Sequence, residues 1–156
     1  RQRVVFKKPP AGQRKVVVST NIAETSITID DITHVIDCMQ VKESRYDPKS
    51  RMGVLATCYT SQAASKQRAG RAGRVGPGVC WRMCTESFFV KELPEYTLCE
   101  MRRTALEELV LQLKLLDLGK DPGDFLQRAP EPPSKAALDA AVRTLEQIGA
   151  LGDPSQ

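Results

Sequence analysis

Aromatic side chains are scarce in this chain, at 5% of 156 residues, with a single tryptophan and a single histidine. His34, inside an apolar run, reads as a packed residue rather than a catalyst. No stretch approaches the roughly 20 apolar residues that a membrane span needs, and no signal peptide is visible. The five cysteines are odd in number and lack CxxC spacing. Cys80 and Cys84 share a strand-like run and would lie about 13 Å apart, too far for one metal. Cys38, Cys58, Cys80, Cys84 and Cys99 therefore read as reduced core thiols of an intracellular protein, and no metal site is expected.

Charge is plentiful but uneven. Residues 1–84 carry 15 Lys/Arg against 6 Asp/Glu, and residues 85–156 carry 8 against 13, which together give the overall +4. A basic first part suits a polyanionic partner, and the acidic remainder reads as solvated helix surface. At 17.2 kDa the chain could hold one domain, or one and part of a second. It opens at Arg1 in what reads as mid-domain sequence, so a longer parent is expected.

The chain divides into two patterns. Arg3 to Phe6 is a short apolar run stopped by the turn-rich Lys7 to Gly12. Arg14 to Thr20 is continuous and β-branched, the pattern of a buried strand. Asn21 to Ser26 reads as a polar loop or helical turn, and Ile32 to Asp37 as a second buried strand. Val41 to Tyr46 and Gly53 to Thr60 form the arms of a hairpin around Asp47 to Ser50. Ser61 caps a helix expected to run to Gly76-Pro77-Gly78, and Val79 to Thr85 is the next strand. This succession implies a mostly parallel α/β sheet. After Pro94 the pattern becomes helical. Thr104 to Leu118 places Leu106, Leu109, Val110, Leu113 and Leu116 at helical spacing. A linker holding Phe125 and Leu126 follows, and a helix capped by Ser134 runs through Leu138, Val142 and Leu145 to Gly149. The expected division is residues 1–93 and 94–156.

The most informative segment is Gln67-Arg68-Ala69-Gly70-Arg71-Ala72-Gly73-Arg74. On a helix, Gln67, Arg71 and Arg74 fall within roughly a 60° arc, while Arg68 points aside. A planar guanidinium pair with an amide beside it suits a phosphate and its attacking water. The loop Ser19 to Asp30 offers hydroxyls and backbone N–H groups at the C-terminal edge of a strand, where α/β sheets bind ligands. Such groups also donate to nucleic-acid phosphates; the alternative is a Ser/Thr-rich cap that satisfies its own backbone. Asp37, at a strand end, reads as a cap or an ion-pair partner. Trp81 and Tyr59 read as core or hairpin packing rather than base-stacking platforms.

Thr20-Asn21-Ile22-Ala23-Glu24-Thr25-Ser26 together with Gln67 to Arg74 resembles motifs V and VI of the DEAH-box, RNA helicase A-like, helicases of superfamily 2. The motif separation, the Asp47-Pro48 hairpin tip and Gly76-Pro77-Gly78 fit the same family. Leu106 to Lys114 resembles the opening of its winged-helix domain. The resemblance implies the C-terminal part of a second RecA-like domain of the P-loop NTPase type, with a protruding β-hairpin, followed by the helical start of a winged-helix domain. It implies an ATP-dependent RNA helicase as the parent. Arg71 and Arg74 match arginine fingers for the β- and γ-phosphates of ATP, and Gln67 a residue that positions the attacking water. Ser26 matches a γ-phosphate sensor, Asp30 a ribose contact and Phe6 an adenine stacker. Thr20, with Asn21, matches an RNA-backbone contact, and Glu24 either orients motif V or pairs with an arginine.

The phosphate-cradling GxxxxGK[ST] loop and the Mg²⁺-holding acidic motif are absent from this sequence. The resemblance places both on a first RecA-like domain, so the chain alone is expected to be inactive. Two other classes stay open. The parent could be a non-hydrolysing RNA-binding scaffold, or the basic segments could bind polyanions without ATP.

Overall fold

The computed structural model describes residues 2–47, 52–116 and 121–152. Pro48 to Ser50 of the expected hairpin turn, and Asp117 and Leu118 of the expected first long helix, lie outside the described residues. The chain forms two compact units, residues 1–42 with 57–97 and residues 43–56 with 98–156.

The first unit is built on a parallel strand pair. Strand β1 (His34–Asp37) runs beside β4 (Val79–Arg82), with Ile36 opposite Trp81 and Asp37 opposite Arg82. The ladder extends past both ends, through Val79 N–H to Thr33 O and Met83 N–H to Asp37 O, each at 2.9 Å. Strands β2 (Gln40–Asp47) and β3 (Met52–Tyr59) pair with each other, as the hairpin reading expects. The turn from β1 into β2 passes through Met39, which holds φ +61 and is fully buried. Such a backbone is costly for a residue with a Cβ. Three bonds offset it: Met39 N–H to Asp37 Oδ1 at 2.9 Å, Thr60 N–H to Met39 O at 2.9 Å, and Ser65 Oγ to the Met39 sulfur at 3.6 Å.

Residues 14–20, expected as a buried strand, are irregular, and Val16 and Val18 are exposed. A strand is a paired structure, and among the described residues no neighbouring strand pairs with this segment. The same lack of cover leaves Ile36, Trp81 and His34 exposed, against the expectation of packed positions. His34 instead shares a 3.0 Å hydrogen bond with the Thr33 hydroxyl. Tyr59, also more exposed than expected, meets Phe88 edge-on at 4.8 Å. Cys38 is exposed and the other four cysteines half-buried, so none is a core thiol.

Helix α1 (Ile22–Thr25) is the short turn expected after residue 20. Helix α2 (Gln62–Ala69) starts as the sequence implies, with Ser61 Oγ accepting the Ala64 N–H at 3.1 Å. It stops seven residues before Gly76. Arg71 N–H bonds to Arg68 O and Ala72 N–H to Ala69 O, so the chain tightens into i→i+3 turns. Gly70 and Gly73 each cost a helix about 1 kcal/mol against alanine, and Ala72 is buried at the point where Gly78 approaches it. Gln67, Arg71 and Arg74 therefore do not lie on one face of one helix. Helix α3 (Glu86–Lys91) was not expected; Thr85 Oγ1 caps it through the Phe88 N–H at 3.2 Å.

The second unit has its own core. Helices α4 (Glu107–Leu115), α5 (Pro122–Leu126) and α6 (Lys135–Gln147) bury Leu106, Val110, Leu113, Leu126, Leu138, Ala141 and Leu145 together. Leu116, expected in this stripe, is the exposed C-cap of α4. Ser134 Oγ caps α6 through the Ala137 N–H at 3.2 Å. Gly149, at φ +71, ends it, with Ala150 N–H reaching back to Leu145 O at 2.9 Å. Arg103 ties the outer hairpin to this unit through Nη1 to Ser44 O and Tyr46 N–H to its own carbonyl, both at 2.7 Å.

A Cβ at position 78 would sit 2.0 Å from Ala72 O, whereas one at position 76 would meet nothing within 4 Å. Gly78→Ala is expected to lower the unfolding free energy by about 1–3 kcal/mol, with Gly76→Ala within about 0.5 kcal/mol of wild type. Urea denaturation of the two variants checks the contrast.

Candidate functional site

The loop from residue 19 to 26 and the arginine segment lie side by side in the first unit because one side chain joins them. Arg68, on the last turn of α2, donates from Nε to Glu24 Oε2 at 3.0 Å and from Nη1 to Asp37 Oδ1 at 2.8 Å. Nη1 also reaches Gln40 O at 3.2 Å. A guanidinium offers a rigid fork that two acceptors on different elements can share. Burial works against the Arg68 charge, but the hydrogen bonds that it donates to Glu24 and Asp37 outweigh this and raise its pKa above the ordinary value. Asp37 is 3% exposed, and its second oxygen, Oδ2, has no hydrogen-bond partner among the described residues. An ionised carboxylate so enclosed depends on the arginine beside it.

Sequence reasoning set Arg68 aside because its helical phase differs from that of Gln67 and Arg71. The signal was present in its partners, since Glu24 and Asp37 were both read as candidates for an ion pair.

The motif VI side chains divide by exposure. Gln67, near the end of α2, is exposed. Arg71 is half-buried, and its Nε and Nη1 are enclosed without a hydrogen-bond partner. A buried guanidinium normally finds acceptors, and these two donors have none among the described residues. Arg74 is exposed, two residues beyond the buried Ala72.

In the facing loop, Thr20 and Asn21 are both exposed. Thr20 Oγ1 accepts the Ile22 N–H at 3.4 Å, and Ser19 Oγ donates to Thr20 O at 3.0 Å, so part of the loop does satisfy its own backbone. Asn21 stands at the N-cap of α1 without making a capping bond, which leaves its amide turned to solvent. Ser26, the exposed C-cap of α1, bonds through its N–H to Ile22 O at 3.2 Å, and its hydroxyl shares a 3.4 Å hydrogen bond with the Thr25 hydroxyl. Asp30 is exposed in the turn before β1, and Phe6 is 57% exposed at the end of a short 3₁₀ turn, Gln2–Phe6. No group of three or more His, Cys, Asp or Glu among the described residues could hold a metal ion. Burial pushes the Cys80 thiol above its usual pKa, which keeps it protonated.

The parallel strand pair with its flanking helices is a mixed α/β arrangement consistent with a second RecA-like helicase domain. Residues 1–76 match the family described as helicase conserved C-terminal domain. Over nearly its whole length the chain is similar to DExH/DEAH-box helicases. It is similar to the DExH-box ATP-dependent RNA helicase DExH1 of Arabidopsis thaliana, 45% identical over 152 residues, which are 97% of this chain and 15% of that protein. It is also similar to the ATP-dependent DNA/RNA helicase DHX36 of Bos taurus, 45% identical over 150 residues, 96% of this chain and 15% of that protein. The crystal structure of the E. coli DExH-box NTPase HrpB superposes with a TM-score of 0.85 at 36% identity, over 97% of this chain and 18% of that one. The chain thus spans less than a fifth of the length of these relatives.

Removing the shared guanidinium leaves the Asp37 carboxylate buried without its cation. Arg68→Ala is expected to lower the unfolding free energy by about 3 kcal/mol. Glu24→Gln, at a position more open to water, is expected to cost about 1 kcal/mol. Chemical denaturation measures both, and equal costs would refute Asp37 as the dominant partner.

Proposed function

We propose that this chain supplies the second RecA-like lobe of an ATP-dependent RNA helicase, bringing arginine fingers to the nucleotide and part of the grip on RNA. One observation carries the proposal: Arg68 ties the segment that carries Glu24 to the end of the helix that leads into Arg71, whose Nε and Nη1 are enclosed without a hydrogen-bond partner. Phosphoryl transfer asks a protein mainly for positioning and charge. In this scheme Arg71 and Arg74 meet the charge that develops on the β- and γ-phosphates as water forms its bond to the γ-phosphorus and the β–γ bridge breaks. Gln67 orients that water, and Ser26 reports whether the γ-phosphate is present. Phe6 and Asp30 take the adenine and the ribose. Thr20 and Asn21 hold the RNA backbone.

The Mg²⁺ that accompanies ATP would be held by the first RecA-like domain of the parent, which would also carry the phosphate-cradling loop. Because α1 and α2 are joined through Arg68, closure of the two lobes on nucleotide would move the 20–26 loop with the arginines and shift the grip on RNA. The ATP dependence stated for DExH1 and DHX36 supports this assignment. We extend it to the second unit, whose three helices we assign to the start of a winged-helix domain, and to an intracellular setting. No helix among the described residues is long and apolar enough to cross a membrane.

In the full-length parent, Arg71→Ala or Arg74→Ala is expected to cut RNA-stimulated ATP turnover by about 10³-fold or more while sparing RNA affinity. Steady-state kinetics paired with RNA titration reads both quantities, and unchanged turnover would remove the finger assignment. The chain alone is expected to show no ATP hydrolysis; a measured RNA-stimulated rate from it would overturn the half-site arrangement.

A further inference from the structure

We propose that Lys15 is a positioning residue of the nucleotide site, holding the segment that carries Phe6 against the turn that carries Asp30. This inference rests on the assignment of Phe6 and Asp30 as base and ribose contacts. An ammonium has three N–H donors and no acceptor, and Lys15 Nζ uses all three. It donates to Val5 O at 2.9 Å, to Lys7 O at 3.2 Å and to Asp31 Oδ1. The two carbonyls are those of the residues on either side of Phe6. The carboxylate is that of the residue after Asp30.

Two further observations separate Lys15 from an ordinary surface lysine. Its side chain is 14% exposed, although Lys7, Lys8 and Arg14 around it are exposed to solvent. The segment it ties has no ladder to hold it: from residue 7 to 20 there is no helix or strand, and Gln13 N–H to Pro10 O is an isolated turn bond. The location of the Phe6 ring relative to Asp30 therefore depends on side-chain ties, and Lys15 makes three at one atom. The hydrogen bond with Lys15 holds the Asp31 carboxyl below its ordinary pKa. A lysine spent in this way is also withdrawn from the RNA-facing charge.

Because the Asp31 partner is exposed to solvent, loss of the ion pair costs little global stability. It frees the Phe6 segment, and the contribution of a positioned ring to binding is about 3- to 10-fold in affinity. The experiment uses the full-length parent with Lys15→Met, Asp31→Ala, Phe6→Ala and the Lys15→Met/Phe6→Ala double variant, measuring KM for ATP, kcat and the unfolding midpoint. Lys15→Met and Asp31→Ala are expected to raise KM about 3- to 10-fold with kcat within about twofold and the midpoint nearly unchanged. The double variant should match Phe6→Ala alone, since both act through the same ring. If Phe6→Ala raises KM and Lys15→Met does not, or if the two effects multiply, Lys15 is not the positioning residue although the nucleotide site stands. If Phe6→Ala and Asp30→Ala both leave KM unchanged, the base-and-ribose assignment itself fails, and this inference with it.

Discussion

One guanidinium shared between two carboxylates organises the first unit. Arg68 sits on α2, Glu24 on α1 and Asp37 at the end of β1, so three elements distant in sequence meet at one planar group. The energetics favour arginine for this post. Its charge survives burial that would discharge a lysine, and its fork serves two oxygens and the Gln40 carbonyl at once. The Asp37 oxygen that accepts from Arg68 also accepts the Met39 N–H. The strained left-handed turn at Met39 and the placement of α2 are therefore held by the same atom.

The placement of Arg71 and Arg74 follows from a different constraint. Gly70 and Gly73 end α2 early, and the chain then advances by tight turns rather than by helix phase. Ala72 is the anchor of that stretch, seated where only a glycine at position 78 leaves it room. The two arginines flank this anchor at 71 and 74. Their relation is fixed by a small buried side chain and by the approach to β4, while the backbone around them keeps the i→i+3 bonds of Arg71 and Ala72. Substitutions that enlarge position 72 or 78 would thus displace charge without touching an arginine.

How far the sequence carries depends on whether a feature is local. The caps at Ser61 and Ser134 and the Gly149 stop are decided within a few residues, and all three are where the pattern places them. The hairpin arms and the buried stripe of α6 follow from alternation and from 3.6-residue spacing. Residues 14–20 fail as a strand because pairing belongs to a neighbour and not to the segment, and Ile36 and Trp81 are exposed for the same want of cover. The expected end of α2 at Gly76 is too late, because Gly70 and Gly73 weaken the helix and it stops at Ala69. Arg68 was missed because a helical wheel assigns direction but not the partners waiting there.

The count of basic residues also overstates what a polyanion would meet. Net charge is read from composition, but a cation contributes to recognition only when its donors are unspent. Lys15 spends every N–H on the protein itself, and Arg68 is committed to Glu24, Asp37 and a carbonyl. Arg71 is the opposite case, enclosed like Arg68 yet with Nε and Nη1 unbonded. Desolvating those donors without acceptors costs free energy, and an anion that supplies the acceptors would recover it. Two arginines three residues apart in one sequence motif thus differ: Arg68 is committed inside the fold, and Arg71 keeps two enclosed donors without acceptors among the described residues.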